Sequence, residues 1–122
     1  TGTAEDPFII EKYIMSEMTG KITILNTDAY LCIRNNTMNE ISNGIKIENA
    51  KNINISINNI STNACYRGIQ ILNSQNISIS GNTITGPYIG IDVREAENVN
   101  ISTNILIVSN QFISNIFIFI PC

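Results

Sequence analysis

"GIQILNSQNISISGNTIT", residues 68–85, alternates apolar and polar residues in two short bursts. Ile69 and Ile71 flank Gln70, and Ile77 and Ile79 alternate with Ser78 and Ser80. Period-two alternation is that of a β-strand with one face buried and one in water. Asn73, Ser74, Gly81 and Asn82 fall between or after the bursts. Residues of these types supply left-handed backbone or side-chain-to-backbone bonds at corners. The pattern returns without gaps as "GIKIENAKNINISINNIS" from Gly44 and "GIDVREAENVNISTNILI" from Gly90. A fainter copy, "KITILNTDAYLCIRNNTM" from Lys21, precedes them with one extra residue near Ala29.

Self-similarity at a period of 20 to 50 residues marks stacked supersecondary units. The matching asparagines Asn36, Asn58, Asn82 and Asn104 stand 22, 24 and 22 residues apart. Short strands at this period predict a coil of about three strands per turn, each turn lying on the last at about 4.8 Å. The expected fold is all-β: a right-handed parallel β-helix (solenoid) of about four to five turns, with 22–24 residues per turn. One domain spans 1–122, with an opening turn over 1–20, repeat turns over 21–114 and a terminal apolar strand over 115–122. Identical positions then stack, with Ile45, Ile69 and Ile91 inside and Lys46, Gln70 and Asp92 outside. Asn36, Asn58, Asn82 and Asn104 become a structural amide ladder at one corner, each bonding to its copies above and below. A leucine-rich repeat shares the period, but its leucine signature and helical half are missing.

The repeat cadence, "NISISGNTIT" followed by "GIDV", resembles the parallel β-helix repeats of the pectate-lyase-like superfamily. The opening "GTAEDPFIIEKY", residues 2–13, resembles the first turn of archaeal surface proteins and of nitrous-oxide-reductase accessory proteins. Those accessory proteins are described as copper-binding or sugar-hydrolysing. The resemblance implies the fold over residues 2 to about 114, whereas repeats of this kind serve lyases, hydrolases, adhesins and surface layers alike.

Charge narrows the function. Seven basic and ten acidic residues give a net charge of −3, which argues against a nucleic-acid binder or a polybasic membrane-surface protein. The apolar region 105–120 is broken by Ser109, Asn110, Gln111, Ser114 and Asn115, short of the roughly 18 unbroken residues a membrane span needs. No histidine is present, which removes the commonest acid–base residue and transition-metal ligand. Copper would want His, Met or Cys clustered, and Met15, Met18, Met38 and Cys32 are spread by the repeat register. A lyase or glycosidase needs carboxylates gathered on one outer face. Asp92 instead stands in a mixed column over Gln70 and Lys46. The densest charged group, Asp92, Arg94, Glu95 and Glu97, reads as a solvated, partly self-paired corner. Tyr66 and Tyr88 precede repeat glycines and read as cover for the loop side. No catalytic residue, metal site or cofactor is expected.

One outer face is monotonous: Asn54 and Ser56, Ser78 and Ser80, Asn100 and Ser102. Such a hydroxyl and amide lattice suits water or glycans. Glycosylation triplets begin at Asn35, Asn54, Asn59, Asn76 and Asn100, sites an exported chain can use. Of three cysteines, Cys32, Cys65 and Cys122, at least one must be unpaired or bonded to another chain. Cys122 is the candidate for an intermolecular disulfide.

A coil of strands has open ends that proteins cover or use. Neither a polar cap nor a terminal helix is expected here. Ile116, Phe117, Ile118, Phe119 and Ile120 form an unbroken apolar strand, and Phe8, Ile9 and Ile10 sit on the opposite edge. The reading these residues favour is a non-catalytic extracellular or cell-surface structural protein. Its partners are copies of itself, joined head to tail into a filament or surface layer. The alternative is a carbohydrate-binding or carbohydrate-cleaving module, a fragment of a longer β-helix.

Overall fold

The computed structural model describes residues 1–16, 21–41, 43–62, 67–86, 89–107 and 116–119, with 40, 41 and 116–119 described by backbone alone. The chain winds through three faces in a fixed order. Face A holds β1 (Phe8–Glu11), β4 (Leu31–Arg34), the second half of β6 (Ile45–Ser56), β9 (Gln75–Ser80) and β12 (Glu97–Ser102). Face B holds β2 (Ile14–Ser16), β5 (Thr37–Ile41), β7 (Asn59–Thr62), β10 (Thr83–Thr85) and β13 (Ile105–Ile107). Face C holds β3 (Ile22–Thr27), the first half of β6, β8 (Arg67–Leu72), β11 (Ile89–Arg94) and β14 (Ile116–Phe119). Every pairing is parallel, no helix occurs among the described residues, and four turns separate β1 from β12. The all-β parallel solenoid expected from the repeat is the fold.

Period-two alternation puts isoleucines on the axis. Ile45, Ile69 and Ile91 pair in register and are at most 1% exposed; Ile55 and Ile79 stack likewise on face A, and Ile60 and Ile84 on face B. Each fully buried isoleucine contributes about 1.5–3 kcal/mol. The β-branched shape suits a column in which every side chain rests on copies of itself.

Corners need backbone that strands cannot supply. Asn26, Asn49, Asn73 and Glu95 stand at the end of face C at φ between 47 and 54°, and Asn52, Asn76 and Asn98 at the start of face A at 54 to 62°. Asparagine visits this left-handed region more readily than most L residues. Between these two corner columns the bend is lined by the small residues Ala50 and Ser74, both 2% exposed. The repeat glycine has a different cause. A Cβ on Gly68 would lie 2.7 Å from the Gly90 carbonyl oxygen and would collide with Ile84, so successive turns approach too closely there for any side chain.

Candidate functional site

The inner ladder occupies the corner between faces A and B. The Asn36 amide donates to Asn58 Oδ1 at 3.0 Å, Asn58 to Asn82 at 2.9 Å, and Asn82 to Asn104 at 3.0 Å. Each of these amides also donates to a main-chain carbonyl: Ile10, Ile33, Ile55 and Ile79 respectively for Asn36, Asn58, Asn82 and Asn104. Each Oδ1 accepts a backbone N–H from the turn before, Tyr13, Asn36, Asn58 and Asn82 in order. Asn36, Asn58 and Asn82 are buried, and among the described residues no buried side-chain N or O atom lacks a partner. Two further ladders run on the outer corners, Asn49 to Asn26 with Asn73 to Asn49, and Asn76 to Asn52 with Asn98 to Asn76. The sequence shows them only as asparagines recurring at the repeat period.

Two expectations need correction. Asp92 does lie on the outer side of face C, above Gln70 and Lys46, but it is 0% exposed rather than solvated. Its carboxylate accepts from Arg67 Nε at 2.6 Å and from Arg94 Nε at 2.9 Å, so two guanidinium groups roof it. Arg67 lies 25 residues earlier, on the turn below, and the cross-turn pair was missed. With both oxygens engaged, Asp92 is a structural anion; Glu95 and Glu97 beside it are exposed. The methionines are also less scattered than expected. Met15 pairs directly with Met38 in the inward column of face B, where Met38 is 0% exposed. Both thioethers belong to the apolar core, and Cys32 stands on another face between Ile9 and Asn54. No group of three or more His, Cys, Asp or Glu that could hold a metal occurs among the described residues. Met18, Cys65, Tyr66, Tyr88, Ile120 and Cys122 lie outside the described residues.

The first turn presents Phe8 and Ile10 to the inward column and Ile9 to the outward one. Phe8 is 51% exposed although its partner Leu31 is buried, because no described strand lies below β1. Ile14 on β2 is 78% exposed. Glu11 sits half-buried against Arg34 Nε at 2.9 Å, and that hydrogen bond, with the guanidinium charge, holds its carboxyl below the usual glutamate range. At the other end Ile105 and Ile107 on β13 project outward, 60% and 56% exposed, where earlier turns carry Thr83 and Thr85. The β14 backbone continues face C, with Ile116 on Ile91, Phe117 on Asp92, Ile118 on Val93 and Phe119 on Arg94.

A shallow groove of about 430 Å³ runs along face A and its corner with face C. The outward column Cys32, Asn54, Ser78 and Asn100 forms its floor. The ladder of Asn52, Asn76 and Asn98 forms one rim, which Tyr30 extends towards the first turn. None of the lining residues is charged. Asn54 and Asn100 are exposed mid-strand triplet positions, whereas Asn76 has its amide tied into the rim. Asn35 and Asn59 are exposed at the corner between faces A and B.

The family model described as "NosD: Periplasmic copper-binding protein (NosD)" matches residues 2–118 of the chain. No curated protein and no solved structure matches it significantly.

Proposed function

The chain belongs to the NosD family, and on that premise we propose that it is a non-catalytic structural β-solenoid working outside the cytoplasm, whose copies stack end to end. The family's periplasmic description supports the location. Copper is not carried over with it. The described residues offer no histidine, two thioethers sunk in the core and one cysteine on a different face, which does not fit the clustered soft donors the metal takes. The engagement of both Asp92 oxygens by arginine supports a non-catalytic reading of the strongest acidic candidate.

The observation that carries the stacking is the match in register and side-chain type between the first and the last described turns. Laying β12 under the β1 of a second copy sets Val99 on Phe8 and Ile101 on Ile10, continuing the inward columns of face A. Laying β13 under β2 sets Leu106 on Met15, and outside it Ile105 on Ile14. These positions are the next in the register already seen between turns. Stacking would bury Phe8 and cover the outward Ile14, Ile105 and Ile107 only in part, so these four contribute at most about 4–7 kcal/mol. Association costs roughly 4–15 kcal/mol, so the continued backbone ladder must supply the remainder. A contact between unlike ends that does not close into a ring grows into a filament.

Sedimentation velocity against concentration, with negative-stain electron microscopy, tests this. The expected result is a size distribution that grows with concentration and yields rods. Changing Ile105 to Lys and Ile107 to Glu, both outward, should abolish growth while leaving the far-ultraviolet β signal. A chain that remains monomeric at high concentration, or forms only a closed dimer, overturns the reading.

A further inference from the structure

We infer that Asn43 is a self-modification site gated by the fold. Its side-chain amide cyclises onto the Gly44 nitrogen and deamidates once the corner between faces B and C opens, and it is held inert while that corner is closed. This goes beyond the stacking reading and does not depend on it.

The chain carries nineteen asparagines, yet eleven of them are followed by Ile, Val or Thr. A β-branched residue crowds its own main-chain nitrogen, the atom that must reach the amide carbon. Asn43–Gly44 is the single Asn–Gly pair in the sequence, and its glycine leaves that nitrogen bare and the backbone free to turn. The repeat itself demands the glycine. Gly44 is not at positive φ, but a Cβ there would run into the Gly68 carbonyl oxygen and lie 2.8 Å from Ile60 Cγ2. The equivalent glycines Gly68 and Gly90 follow Arg67 and Ile89, so only this turn sets an amide before the bare nitrogen.

In the reaction the Gly44 nitrogen attacks Asn43 Cγ, and the new C–N bond closes a succinimide ring. The side-chain nitrogen leaves as ammonia with the proton that Gly44 gave up. Water then opens either ring carbonyl to give aspartate or isoaspartate, and no other reactant is needed. The folded corner withholds both partners. The Gly44 N–H donates to the Arg67 carbonyl at 3.2 Å, and Asn43 Oδ1 accepts the Arg67 N–H, also at 3.2 Å. The Gly44 carbonyl accepts the Ile22 N–H from the turn below at 3.0 Å, so the peptide groups on both sides of Gly44 are pinned to neighbouring turns. Gly44 is buried and Asn43 half-buried. Ring closure requires the nitrogen to lose its proton and turn towards Cγ, which the pinned peptides prevent. Arg67 begins β8, so the reaction waits for β8 to lift from β6. A slow reaction from such a local opening tracks the population of the open state.

The two products differ in consequence. Aspartate keeps an oxygen where Asn43 Oδ1 meets Arg67, so the corner can close again. Isoaspartate routes the main chain through the side-chain carbon and lengthens the link between β5 and β6, disturbing the register on which the face C pairings depend. It is a permanent record of an opened turn.

The intact protein should be incubated at mildly alkaline pH in buffer, in guanidinium chloride below the unfolding midpoint, and well above it. The tryptic peptide 35–46, released by cleavage after Arg34 and Lys46, then reports the amide-to-acid mass gain. Fragmentation assigns the position and separates aspartate from isoaspartate. Asn43 is expected to convert ahead of every other asparagine in the unfolded chain, and slower by on the order of tenfold or more in the folded one. Below the midpoint its rate should climb with denaturant. Asn43→Gln, whose longer side chain cyclises far more slowly, should remove the dominant mass gain of this peptide in the unfolded chain, where the fold plays no part. Equal rates in folded and unfolded protein, or another asparagine converting first in the unfolded chain, overturns the inference.

Discussion

Asn82→Leu removes the most heavily bonded side chain of the inner ladder at nearly constant volume. In the native structure Asn82 Oδ1 accepts the Asn58 backbone N–H at 3.0 Å and the Asn58 amide at 2.9 Å. Its own amide donates to the Ile55 and Ser80 carbonyls and to Asn104 Oδ1. Leucine leaves three buried groups without these partners: the Asn58 N–H, one Asn58 amide hydrogen and the Ile55 carbonyl. Asn82 is 0% exposed, so water has no ready route to replace them. Each orphaned group costs about 1–3 kcal/mol, and apolar packing of the leucine offsets part of the sum. The expected loss is about 3–6 kcal/mol, a large share of the roughly 5–15 kcal/mol that holds a domain of this size. Ser80→Ala, whose hydroxyl faces outward without a partner among the described residues, should cost under about 0.5 kcal/mol. Urea denaturation followed by circular dichroism measures both. Equal losses would refute the ladder as a source of stability.

Two further outcomes are expected. Ile57 holds φ +55° while 62% exposed, an awkward state for a β-branched residue, and its corner column otherwise carries Lys12, Asn35, Gly81 and Thr103. Ile57→Gly or Ile57→Asn should therefore raise stability by about 1 kcal/mol in the same urea assay, and a loss would show that the side chain contributes packing instead. Glu11 is held below the ordinary glutamate range by Arg34, so its contribution is present above the unfolded-state value and lost as pH falls through the lower folded value. Carboxyl-carbon NMR titration should find a depressed midpoint that Arg34→Gln moves up; an unmoved midpoint would refute the pairing.

Most of the architecture was legible because identical residues recur at identical offsets. Ile69, Ile71, Ile77 and Ile79 betray their strands by alternation, and Asn58, Asn82 and Asn104 betray a corner by spacing alone. Direction was readable but burial was not. Asp92 points outward as alternation requires, yet its exposure depends on Arg67, whose side chain reaches it across one turn. Met15 over Met38 was missed because Met15 stands in the opening turn, outside the aligned repeats. The outer corner ladders were harder to see since Glu95 replaces asparagine at the end of one column and the chain lengthens near Ala29 in another. The groove was least visible of all. The monotony of Asn54, Ser78 and Asn100 could be read, but not that the opening residues Ala4 and Pro7 line the same groove, because they lie outside the aligned repeats.

The nearly constant distance along the chain between bonded residues has a kinetic consequence. Ladder bonds join residues 22 to 27 positions apart, whichever face they lie on. A mean separation of about 23 in 122 residues corresponds to a relative contact order of about 0.19, within the range of slow all-β folders. Yet every loop to be closed has nearly the same length and hence nearly the same entropic cost. The first two turns must find each other without a template, and this is the slow event. Each later turn then docks on a finished edge at about the same cost as the one before. Refolding should resemble seeded growth within a single chain, and a coil lengthened by whole turns would gain elongation steps without acquiring a longer closure.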